Sequence, residues 1–179
     1  DAERVPEMLA ELRTLPLEFH GFHIFSGSQN LRPDALVESQ QKSAALAIEL
    51  ARHAPAPVRL LNLGGGFGIP YFPGEKPLDL APIGANIASL VPTIAAALPD
   101  ATIALELGRF LVGEYGIYVC RINDRKVSRG HVFLITDGGL HHHLAASGNF
   151  GQVIRKNYPV LVANRIGADA REVASVEIG

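Results

Sequence analysis

With 179 residues, 47% of them apolar and 19% charged, the chain can bury one good core or two small ones and has neither a disordered nor a membrane-like composition. A net charge of −2 with mixed signs argues against a nucleic-acid surface, and no run of about 18 uncharged apolar residues predicts a membrane span. No signal peptide is read either, and the lone cysteine, Cys120, suits a reducing compartment such as the cytoplasm.

Val5, Met8, Leu9 and Leu12 are spaced for a helix over residues 5–15, with Pro6 tolerated in its first turn. Residues 17–25 read as a strand that runs into the polar loop Ser26-Gly27-Ser28-Gln29-Asn30. Pro33 and Asp34 open a long helix that finishes near His53. Residues 58–63 form a second strand, which ends in Gly64-Gly65-Gly66. A loop over residues 72–80 leads to a third helix, about 83–98, and a third strand, 101–107, ends in Glu106-Leu107-Gly108-Arg109.

Helices alternating with strands imply a parallel sheet, because parallel strands need a crossover of this length. All three strands carry their polar or glycine chemistry at the carboxyl end. Both a (β/α) barrel and an open doubly wound sheet place ligands on that side. After Arg109 the pattern turns antiparallel and mostly β. Strands are expected at residues 131–136, 159–166 and 171–178, with another before Gly130. A domain boundary is placed near Gly113, dividing residues 1–113 from 114–179. Cys120 lies in an apolar run and is expected to be a small buried hydrophobe. The chain starts inside a helix pattern and stops inside a strand pattern, so a piece of a longer protein is expected.

Three consecutive glycines after a buried strand allow backbone N–H groups to form a concave anion site. Glu106 closes an apolar strand, where a carboxylate is costly without a partner. Arg109 or a cationic ligand would serve. A phosphate cradle, a basic residue and a carboxylate on one rim suit a phosphorylated heterocycle with a protonated ring nitrogen. His23 lies near the same rim, as either a core histidine or a catalyst. Asp137 is a candidate acid at a strand end, and Asn149 and Gln152 are candidate substrate contacts. His141-His142-His143 is not read as a metal site, since adjacent side chains point in different directions.

Phe22-His23-Ile24-Phe25-Ser26-Gly27-Ser28-Gln29, residues 63–71 from Leu63-Gly64-Gly65-Gly66 onward, and Glu106-Leu107-Gly108-Arg109 together resemble the fold-type III pyridoxal-phosphate decarboxylases in order and spacing. That family includes the diaminopimelate and ornithine decarboxylases. The stretch 137–152 is most similar to the branch associated with exosortase systems. The resemblance implies an α/β fold: part of a TIM-type (β/α) barrel of the alanine racemase kind, followed by part of a mostly antiparallel β-domain. It also implies a homodimer with shared active sites. Pyridoxal 5'-phosphate would be the cofactor, its phosphate held by Gly64, Gly65 and Gly66 with help from Ser28 and Arg109. Glu106 would pair with the ring nitrogen and favour decarboxylation over racemisation, because a protonated ring accepts the electrons left by CO₂.

Two departures bear on substrate. Phe25 stands where the family places a ring-stacking histidine; it can stack but cannot exchange protons. Ala145 stands where the diaminopimelate enzymes place an arginine for the distal carboxylate, so an amino acid other than diaminopimelate, carried on a larger group, is the better expectation. The resemblance puts the Schiff-base lysine before Asp1 and the catalytic cysteine after Gly179, so the piece alone is expected to be inactive. A racemase, a non-catalytic cofactor carrier and a ligand-free structural piece are the alternatives.

Overall fold

The computed structural model describes residues 1–72, 74–138, 142 and 161–166. These belong to two compact units, Asp1–Ile69 with Lys76–Gly113, and Pro70–Glu75 with Glu114–Gly179.

The first unit alternates helix and strand: α1 (Val5–Leu12), β1 (Gly21–His23), α2 (Pro33–Leu50), β2 (Leu60–Asn62), α3 (Ala81–Ala97), β3 (Thr102–Ala104) and the short α4 (Gly108–Val112). β1, β2 and β3 lie side by side in chain order, all parallel, with Phe22 opposite Leu61 and Leu61 opposite Ile103. That middle row points into the main core. There Phe22, Leu61 and Ile103 pack with Ala44 and Ala47 of α2 and Ile94 of α3. Both crossover helices therefore cover the same face. The next row, His23–Asn62–Ala104, points to the other face because side chains alternate along a strand.

A second apolar cluster sits toward the strand ends, where Phe67 packs with Leu36 of α2, Ile83 of α3 and Phe110 of α4. The Phe67 and Phe110 rings meet edge to face at 6.0 Å. This contact anchors the segment after the three glycines to the helix that carries Arg109. Between α2 and α3, Gln41 and Gln40 both bond the Asn86 amide, each at 2.9 Å.

The expected strands are longer than those observed. Each ladder has three rows, then continues as single backbone bonds such as Ile24 N–H to Asn62 O and Leu63 N–H to Ala104 O. Flanking apolar residues such as Phe19 and Leu105 pack against the core outside the three-row ladders, which is why 17–25 and 101–107 read as longer strands. The first helix stops at Leu12 rather than 15, where Thr14 turns back onto the Glu11 carbonyl.

In the second unit, β4 (Ile122–Ser128) and β5 (His131–Thr136) form an antiparallel hairpin. Arg129 and Gly130 join them with φ of 52° and 82°, the two left-handed positions of a tight hairpin turn. Two expectations are corrected here. Cys120 is exposed, not buried. The strand expected over 159–166 gives way at Ala163–Arg165 to a turn of 3-10 helix. The strand expected at 171–178 lies outside the described residues. Among the described residues, no helix is long and apolar enough to cross a membrane.

Candidate active site

The carboxyl ends of β1, β2 and β3 bring His23, Asn62 and Glu106 together on the face opposite the helices. His23 and Asn62 are register partners, and Glu106 lies two residues beyond Ala104, so all three share the strand parity that faces away from the core. Asn62 Nδ2 donates to Glu106 Oε1 at 2.9 Å. His23 Nε2 stands 3.3 Å from Glu106 Oε2, both side chains about half exposed. Each carboxylate oxygen thus has its own nitrogen neighbour, from β2 and from β1. At this exposure the contact orients Glu106 more than it stabilises the fold.

Arg109 is not the partner of Glu106 among the bonds observed. Its Nη1 donates to Gln29 Oε1 at 3.1 Å. Gln29, at a left-handed φ of 53°, also exchanges hydrogen bonds with both backbone groups of Ile69. One amide thereby ties the loop after β1, the segment after the glycines and α4 into a single support.

The three glycines prove to be packed rather than open. A Cβ on Gly64 would lie 2.6 Å from the Ile24 carbonyl oxygen, one on Gly65 would strike the Glu106 carbonyl, and one on Gly66 the Gly27 carbonyl. Gly64 and Gly66 also hold φ of 70° and 83°. The missing side chains let three strand ends converge. That convergence also lays out the donors: the Gly64 N–H bonds Asn62 Oδ1 at 2.8 Å, and among the described residues nothing accepts the N–H of Gly65 or Gly66. Both glycines line a cavity of about 210 Å³ together with Ser28, Gln29 and Ser39. Arg109 stands one residue behind this wall, through Gln29. Phe25 lies on the loop after β1 and is 62% exposed.

Asp137 belongs to the second unit, where its Oδ1 accepts the Arg121 N–H at 2.7 Å and its own N–H bonds the Arg121 carbonyl, closing the open end of the hairpin. Asn149, Gln152 and Ala145 lie outside the described residues, as do His141 and His143. Among the described residues, no cluster of three or more His, Cys, Asp or Glu side chains is placed to hold a metal ion.

Sequence reasoning did not single out Asn62 or Gln29. Asn62 had a signal: a polar residue between Leu61 and Leu63 must face away from the side those leucines bury. Gln29 had none beyond its place in a polar loop.

Unpaired N–H groups and a serine at one cavity, with a carboxylate on the adjacent strand end, suit an anion joined to a cationic ring. Such a set lies where α/β proteins place their ligands, at the carboxyl ends of parallel strands. The chain belongs to the pyridoxal-dependent decarboxylases: the model of their pyridoxal binding domain matches residues 1–113. Pyridoxal 5'-phosphate is the cofactor of this family, and the residues present fit it.

Among curated proteins, the chain is 35% identical over 181 residues to the L-glutamyl-[BtrI acyl-carrier protein] decarboxylase of Niallia circulans, covering 99% of this chain and 42% of that protein. The chain therefore spans about two fifths of that relative's length. Among solved structures, a diaminopimelate decarboxylase matches with a TM-score of 0.63 at 22% identity, over 83% of this chain and 35% of that one. The diaminopimelate decarboxylase of Helicobacter pylori, complexed with L-lysine, matches with a TM-score of 0.55 at 28% identity, over 82% of this chain and 35% of its own.

Proposed function

We propose that the whole protein decarboxylates an amino acid with pyridoxal 5'-phosphate, and that this chain supplies the cofactor's phosphate grip and its ring-nitrogen partner. The observation that carries this is the Glu106 carboxylate, held by Asn62 and His23 beside the glycine turn. When bound, the cofactor supplies an electron-accepting ring for the electrons left by CO₂.

The chain's own residues have distinct tasks. The Gly65 and Gly66 N–H groups and the Ser28 hydroxyl would bind the phosphate, with the amino end of α2 adding a favourable dipole. Arg109 adds charge from behind through Gln29. Glu106 would keep a proton on the ring nitrogen, and Phe25 would lie against the ring face. His23 would orient Glu106. The fold favours part of a TIM-type barrel, since strands in chain order with both helices on one face match a singly wound barrel rather than a doubly wound sheet. A partial β-domain would follow from residue 114, and a homodimer would complete the site.

For substrate, an amino acid borne on a carrier protein is favoured over free diaminopimelate. The support is the carrier-linked substrate named for the Niallia relative and Ala145 in the position of a carboxylate-binding arginine.

The test is Glu106→Gln in the full-length protein. Cofactor affinity should stay within a few-fold while CO₂ release falls by about 10²-fold or more, the scale of losing one preorganised electrostatic group. A parallel chiral assay should show no racemisation of the same amino acid. Undiminished CO₂ release would refute the role of Glu106.

A further inference from the structure

Asn62 makes two bonds with one amide, and they belong to a closed circuit. Asn62 Nδ2 donates to Glu106 Oε1 at 2.9 Å. The Glu106 backbone N–H donates to the Gly64 carbonyl at 2.8 Å. The Gly64 N–H donates back to Asn62 Oδ1 at 2.8 Å. Each of the three residues is donor to the next, so none can rotate or slide alone. The Gly64 N–H also decides the amide's orientation: with Oδ1 committed to that donor, the amino group must face the carboxylate.

We infer that Asn62 is a positioning residue, whose single amide keeps the Glu106 carboxylate in register with the glycine turn through this three-residue hydrogen-bond ring. The inference rests on the proposed roles of Glu106 and the turn, and adds what couples them. The two ends of the cofactor would be gripped by groups on different strands, β2 and β3. A shift of either strand end would move one grip relative to the other. The ring removes that freedom at the point where the strands stop pairing. The side chain's shape matters as much as its polarity. Serine at this position can still accept the Gly64 N–H, as short hydroxyls do in turns of this kind, but it has no amino group to reach Glu106. Aspartate keeps the same acceptor and sets a second carboxylate against Glu106.

The test uses the full-length protein with Asn62→Ser, Asn62→Asp, Glu106→Gln and the double variant Asn62→Asp/Glu106→Gln. Three quantities are read: the melting temperature without cofactor, the affinity for pyridoxal 5'-phosphate, and kcat with KM for CO₂ release. Asn62→Ser should lower kcat about tenfold, in the middle of the range for coupled neighbours. Its KM and cofactor affinity should move less than threefold. Asn62→Asp should lose more kcat and also lower the melting temperature of the cofactor-free protein. The double variant reverses donor and acceptor, since the amide introduced on β3's end would donate to the carboxylate introduced on β2. Its melting temperature should therefore recover toward wild type while kcat does not.

Wild-type kcat in both single variants of Asn62 would overturn the inference, as would additive melting-temperature losses in the double variant. Undiminished turnover in Glu106→Gln alone would instead overturn the role of Glu106, and this inference with it, through a different protein. A general folding role for Asn62 would lower cofactor affinity and kcat together and show no recovery on swapping the pair.

Discussion

Adding one methyl group at Gly65 tests how the glycine turn is built. Gly65 has no left-handed φ, so alanine there meets no backbone penalty of its own. The whole effect is steric, because the new Cβ would strike the carbonyl of Glu106, which is backbone and cannot swing aside. Overpacking of this kind costs about 1–3 kcal/mol, relieved only by spreading β2 from β3 at the strand ends. The same spreading stretches the Glu106 N–H to Gly64 O bond and turns the Gly65 N–H away from the cavity. Gly84, exposed in α3, supplies the matched control: its added Cβ meets nothing within 4 Å. There alanine should stabilise by about 0.5–1 kcal/mol, the usual helix gain over glycine. The assay is denaturant unfolding of both variants in the full-length protein, with a titration of pyridoxal 5'-phosphate. The reasoning predicts opposite signs for one chemical change, and loss of affinity only for Gly65→Ala. Equal stabilities, or undiminished cofactor affinity in Gly65→Ala, would refute a turn packed against Glu106.

Two predictions concern the scaffold. Leu61 is 0% exposed at the centre of the sheet's packed face. Leu61→Ala should cost about 2–5 kcal/mol, read as a lower denaturant midpoint. At the start of α2, the Arg32 guanidinium, 2.6 Å from Asp34, holds the Asp34 carboxyl below its ordinary value of 3.8 through a direct hydrogen bond. A carboxyl lowered on folding stabilises above its unfolded value, and that contribution drains away as pH falls through the lower folded value. Asp34→Asn should therefore lower the melting temperature slightly at neutral pH and leave it unchanged once Asp34 is protonated. Both groups are exposed, so high salt should erase the difference. A neutral-pH difference that persists in high salt would contradict this.

Much of the first unit was legible because its signals are local and periodic. Pro33 with the apolar spacing after it marked α2, and the alternation of helix and strand patterns implied the parallel sheet that forms. The strand lengths were not legible. Residues such as Phe19 and Leu105 are apolar because they pack against the core, not because they pair, and composition does not separate the two. The triple glycine reads as an anion site in the sequence, but the packing it makes room for is not local: the backbones that crowd Gly64 and Gly66 come from residues about 40 positions earlier in the chain. Glu106 was expected to need a partner, yet Arg109, three residues away, turns to Gln29, while the partners come from β1 and β2. Local spacing favours the near neighbour; the sheet supplies the distant ones. Cys120 shows the opposite error, where an apolar neighbourhood in sequence was not burial in space.

Three-residue strands divide their labour one position at a time. Phe22, Leu61 and Ile103 answer to the helices, while His23 and Asn62, one step along, answer to Glu106. Drift or design can therefore exchange oil for oil behind the sheet without disturbing the polar row in front. A scan of tolerated substitutions along these strands would beat with a period of two, one beat governed by volume and the next by donor and acceptor.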